Sequence, residues 1–147
     1  MKSVGNIQKI TAAMKMVAAS RLKGAQTKME KSRGLVAPLV RMLGDQPGVE
    51  CEKTMVVPVS SDKGLCGGIN TTVVKYSKVV SGLSPEAGTT MSIVGEKARA
   101  QLAKGNTDAV NMVINDLSKI PLTFATASLV TDTIMAEGAQ KHAIIFN

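Results

Sequence analysis

The chain has 147 residues, 44% of them apolar, but only two Phe, one Tyr and no Trp, so any core is aliphatic and methionine-rich, and base-stacking RNA modules are disfavoured. Two cysteines 15 apart, Cys51 and Cys66, and a single histidine, His142, point to neither a zinc site nor a disulfide framework, and no apolar run approaches the roughly 18 residues of a membrane-spanning helix. The net charge of +7 is one-sided: residues 1–41 carry nine Lys and Arg against the single acid Glu30, while the rest has nine basic and ten acidic residues, which implies an acidic partner for the first segment.

From Val4 the apolar residues fall at Ile7, Ile10, Met14 and Val17, then at Ala18, Leu22, Ala25 and Met29. These three-and-four spacings, with a shift near residue 18, predict a helix with a coiled-coil-like seam. Lys9, Lys15, Arg21, Lys23, Lys28 and Lys31 fall largely off the stripe, and five alanines add helix propensity. Met14, Met16, Met29 and Met42 read as packing residues. Gly24 and Gly34 weaken the helix, and Pro38 is expected to kink or interrupt it. A helix reaching Leu43 would be roughly 60 Å long. The residues that follow cannot cover it, so another chain or a missing part of this one is expected to bury its seam.

Residues 44–48, Gly-Asp-Gln-Pro-Gly, form a break, and the expected division is a helix over 1–49 and a separate domain over 50–147. Residues 53–60 read as a buried strand whose Pro58 suggests an edge or a bulge. A helix over 69–80, a turn at 84–88, a strand over 90–94, a helix over 96–104, a strand over 109–114, a helix over 122–137 and a strand over 143–146 follow. The order predicts an α/β fold: a long coiled-coil helix, then a Rossmann-like domain with a mostly parallel sheet. The helical pattern starts without a cap and the chain stops after an apolar strand, so a fragment of a longer protein is expected.

The loop over residues 60–68, Ser-Ser-Asp-Lys-Gly-Leu-Cys-Gly-Gly, lies between a predicted strand and a predicted helix, where backbone N–H groups commonly hold phosphates. Its spacing fits neither dinucleotide nor P-loop patterns, and Lys63 precedes its glycines. In the plainer reading Gly64, Gly67 and Gly68 permit a tight turn and close helix packing. In a third, Asp62 and Lys63 stand at an exposed tip and meet charges on a partner. Cys66 has no evident base to make it a nucleophile.

Residues 3–22, Ser-Val-Gly-Asn-Ile-Gln-Lys-Ile-Thr-Ala-Ala-Met-Lys-Met-Val-Ala-Ala-Ser-Arg-Leu, and 59–70, Val-Ser-Ser-Asp-Lys-Gly-Leu-Cys-Gly-Gly-Ile-Asn, closely resemble the two signature stretches of the γ subunits of F-type ATP synthases. The pieces Ile93-Val94-Gly95-Glu96-Lys97 and Ile144-Ile145-Phe146-Asn147 continue the likeness over essentially the whole chain. The resemblance implies the N-terminal half of a rotor shaft. Its first helix would pair with a C-terminal helix, absent here, as an antiparallel coiled coil inside a ring of three α and three β subunits. The α/β domain would help join δ/ε central-stalk subunits and the c-ring of the membrane rotor.

Catalysis would lie in the β subunits, and no catalytic residue, cofactor or metal is expected on this chain. Met14, Lys15 and Lys63 would face an acidic loop of β. The wording of the motifs is closest to mitochondrial forms, which implies the matrix side of the inner membrane; a bacterial plasma membrane or a chloroplast thylakoid are the alternatives. From the residues alone, a basic nucleic-acid-binding protein is the competing reading, with a nucleotide-binding enzyme third.

Overall fold

The computed structural model describes residues 2–44, 51–64, 66–82, 88–104 and 109–147. The chain divides into two compact units, Met1–Val49 and Glu50–Asn147.

The first unit is helix α1, Lys2–Leu43, which is unbroken over 42 residues. Of the expected kink or interruption at Pro38, no interruption occurs. A proline removes one intrahelical bond and presses its ring on the carbonyl four residues earlier; that residue is Gly34, whose backbone, free of a side chain, adjusts most readily. Mid-helix hydroxyls bond back along the helix: Thr11 Oγ1 to the Ile7 carbonyl at 2.9 Å and Thr27 Oγ1 to that of Lys23 at 3.0 Å, a local solution that keeps them off competing conformations. Arg41 in the last turn complements the helix dipole. The predicted seam is bare: Val4, Ile7, Ile10, Met14 and Val17 are 57–68% exposed.

The second unit is a four-stranded parallel sheet of order β3-β2-β1-β4, built from β1 (Thr54–Pro58), β2 (Thr90–Val94), β3 (Val110–Ile114) and β4 (Lys141–Ile145). Helices α2 (Ile69–Gly82), α3 (Glu96–Leu102) and α4 (Phe124–Met135) make the crossovers, with a 3₁₀ turn at Leu117–Lys119 before α4. Alternate residues of β1 feed opposite faces. Val56 packs with Val74 of α2, Met91 and Ile93 of β2, and Ala98 and Leu102 of α3. Met55 and Val57 pack with Val94 and Ile134 of α4.

Burial on both faces explains why β1 reads as a continuous apolar run. It also corrects the reading of Pro58, since β1 is central, not an edge. Pro58 is its last residue, and the ladder resumes directly after the missing N–H, with Val59 N–H donating to the Ile145 carbonyl and Ser60 N–H donating to that of Val94, both at 2.8 Å. Element ends move by one to two residues. Helix α4 starts at Phe124 because Thr123 is extended and its hydroxyl accepts the Thr126 N–H, the role of an N-cap. Strand β4 starts at Lys141 because Lys141 and His142 already pair with Thr54 and Met55.

Candidate functional site

The loop leaving β1 is a knot of hydrogen bonds centred on the head of α3. A helix begins with N–H groups that have no partner of their own, and Gly95 before α3 has no side chain to cap them. Residues 60–62 supply all three partners from across the sheet. Ser60 Oγ accepts the Ala98 N–H at 3.0 Å, the Ser61 carbonyl accepts that of Lys97 at 3.1 Å, and Asp62 Oδ1 accepts that of Glu96 at 3.4 Å. Ser60 donates its own proton to the Val94 carbonyl at 3.1 Å.

This approach is close enough to require glycine at 95. Gly95 has φ 99°, and a Cβ there would stand 2.6 Å from Ser60 Oγ and 2.7 Å from its carbonyl carbon. Gly67, at φ 62°, supplies the turn. Close helix packing at Gly68 is not found: nothing lies within 4 Å of its side, and at Gly64 the nearest atom is the Lys97 Cε at an ordinary 3.7 Å. The demanding glycine is thus Gly95, present in a stretch used for the resemblance but given no task there.

The far side of the loop is stapled to α2 by Asn70, which is buried. Its Oδ1 accepts the Ser61 N–H at 3.1 Å and its Nδ2 donates to Ser61 Oγ at 2.9 Å, while Ser61 Oγ donates to the Lys63 carbonyl at 2.6 Å. Asp62 turns inward, which corrects its placement at the exposed tip. Its Oδ2 accepts Ser118 Oγ at 3.2 Å. Partial burial pushes the Asp62 carboxyl upward, but N–H groups of Asp116, Glu96 and Ser118 and the Ser118 hydroxyl together hold it below the usual aspartate range. Asp116 is itself left-handed, at φ 62°, and pairs with Lys119 at 2.8 Å.

Lys63 alone points outward. It is exposed, and among the described residues no carboxylate lies within salt-bridge distance of it. Met14 and Lys15 are neighbours on α1, both exposed, Met14 by 68%; Lys63 belongs to the other unit.

The head of α3 offers no phosphate site, because its N–H groups are already taken and the anion among them is Asp62. Among the described residues Cys66 Sγ reaches the carbonyls of Lys63 and Gly64, at 3.5 Å each, and no base. Among the described residues no group of three His, Cys, Asp or Glu is placed to hold a metal, and no helix is long and apolar enough to cross a membrane.

The sequence profile of the ATP synthase family matches residues 1–147. This chain belongs to that family. It is 50% identical over 137 residues to the mitochondrial ATP synthase subunit gamma of Ipomoea batatas, an alignment covering 92% of this chain and 42% of that protein. It is 34% identical over 154 residues to the ATP synthase F(1) complex subunit gamma, mitochondrial, of Rattus norvegicus, covering 100% of this chain and 56% of that protein. The central stalk and c-ring structure of the Tetrahymena thermophila mitochondrial ATP synthase contains a chain matching with TM-score 0.70 and 29% identity, over 88% of this chain and 60% of that one.

The chain therefore spans about half the length of the curated relatives it matches. The resemblance read from residues 3–22 and 59–70 is borne out, as is the fold class, a long helix followed by a parallel α/β sheet. The nucleic-acid reading of the basic helix finds no support in these relatives.

Proposed function

We propose that this chain is the N-terminal half of the rotor subunit of a mitochondrial F1Fo ATP synthase, working on the matrix side of the inner membrane. Helix α1 forms half of the shaft inside the ring of α and β subunits. The sheet domain sits at its foot with the δ/ε central-stalk subunits and the c-ring. The chain performs no chemistry; it transmits torque to nucleotide sites held by β. The domain assignment that goes with this is a shaft over 1–49 and a base over 50–147.

The observation that carries this reading is α1 itself. Helices of globular proteins gain most of their stability from burying one face, yet this one keeps its apolar seam exposed from Val4 to Leu43 beside a nine-to-one excess of basic residues in 1–41. A partner helix and an acidic surround are what such a helix fits. Met14, Lys15 and Lys63 are the proposed contacts to an acidic loop of β. Exposed ion pairs of about 0–1 kcal/mol each suit a surface that must leave each orientation readily.

The test is to tag the native protein in its source cells, purify it at moderate ionic strength and identify the co-purifying chains by mass spectrometry with ATPase activity alongside. Recovery with α and β subunits and ATPase supports the rotor; recovery with nucleic acid, or alone and inactive, refutes it.

A further inference from the structure

Asp62 is where three elements meet. Its Oδ1 takes the first N–H of α3, at Glu96, and its Oδ2 takes the Ser118 hydroxyl of the 3₁₀ turn. The backbone of Asp116 and Ser118 also favours the ionised form of the same carboxylate. The next residue, Lys63, has its carbonyl fixed by Ser61 Oγ at 2.6 Å and its side chain in solvent. An aspartate beside a lysine on a free loop can fold back on it, and at the surface it would also repel an acidic partner. Here each carboxylate oxygen is engaged from its own domain, Oδ1 by the Glu96 N–H and Oδ2 by the Ser118 hydroxyl, and no ion pair with Lys63 forms among the described residues.

We propose that Asp62 is a positioning residue for the contact made by Lys63: clamped between α3 and the 3₁₀ turn, it fixes the loop so that the lysine is aimed outward and, among the described residues, pairs with no carboxylate. This rests on the proposed reading of Lys63 as a rotor contact. The Asp62 clamp also ties the loop to two further elements of the base, so a load on Lys63 is carried by the sheet domain and not by a free loop.

The experiment is a double-mutant cycle in the complete enzyme, with Lys63→Ala, Asp62→Ala and the pair, reading proton-driven ATP synthesis at low and high salt. Lys63→Ala is expected to lower the rate about 2- to 5-fold at low salt, the range of one exposed ion pair, and less at high salt. Asp62→Ala is expected to lower it by a similar factor with the same salt dependence, and the double variant to be no worse than Lys63→Ala alone. If Asp62→Ala does not assemble, Asp62→Asn, which keeps one acceptor oxygen, takes its place in the cycle under the same criteria. Loss with Lys63→Ala but none with the Asp62 variant, or losses that multiply in the pair, overturn the positioning role alone. No loss with Lys63→Ala overturns the contact itself, and the positioning role with it.

Discussion

Ser60 Oγ stands 3.0 Å from the backbone nitrogen of Ala98 and caps a helix that begins 36 residues further along the chain. The residue that would ordinarily cap α3, Gly95, cannot do so, and it is glycine because the capping residue presses on it. Strand β1, the loop and α3 are therefore one mechanical piece, and Lys63 is mounted on it.

Removing that cap has a local signature. Ser60→Ala should destabilise the head of α3 by about 1 kcal/mol, the usual worth of an N-cap, and the Ala98 amide should exchange its hydrogen several-fold faster. Ser60→Thr retains the oxygen and should largely restore protection. Unchanged exchange in Ser60→Ala would mean that the bond contributes nothing.

The glycines separate sharply. Gly95→Ala combines a left-handed φ with a methyl driven into Ser60 and should cost about 2 kcal/mol or more. Gly68→Ala meets nothing and should change stability by less than about 0.5 kcal/mol. Denaturant unfolding of the two variants against wild type decides it, and equal effects would refute the close approach at 95.

Asp62 predicts an acid limb. Its carboxyl is held below the ordinary 3.8 in the folded protein, so the stabilisation it gives is fully present above that value and lost as pH falls through the folded pKa. Unfolding free energy should decline below about pH 4, and Asp62→Asn should flatten part of that decline. An identical slope in the variant would show that the donors around Asp62 do not favour its ionised form.

Helix α1 should depend on what covers it. In the isolated 147-residue chain its amides should exchange far faster than those of β1 and β2, since a helix without a buried face is marginal in water; in the complete enzyme the same amides should be protected. Full protection in an isolated monomer would contradict the partnered-shaft account.

Much of the fold was legible because the parallel sheet writes its strands as short apolar runs and α1 writes its seam in three-and-four spacings. Pro58 misled as a sign of an edge strand, and Pro38 did not interrupt its helix. A proline marks the absence of one donor, but whether the chain breaks there is decided by neighbours: Gly34 beneath Pro38, and the ladder bonds of Val59 and Ser60 after Pro58. The Ser60–Ala98 cap and the inward turn of Asp62 could not be read, because capping rules compare residues three apart and these partners are 38 and 34 apart. Gly95 carried the only trace, a glycine between a strand and a helix. Lys63 was legible as an exposed charge for a partner, its exposure is found, and the resemblance alone named the partner as an acidic loop of β.

The most direct test of the rotor is to watch it turn. A probe fixed to an exposed residue of the Glu50–Asn147 unit in the immobilised, complete F1 assembly should rotate in one direction with three dwell positions when ATP is supplied, one for each β subunit. A probe that stays still while ATP is hydrolysed at the full rate would show that this chain is not the shaft.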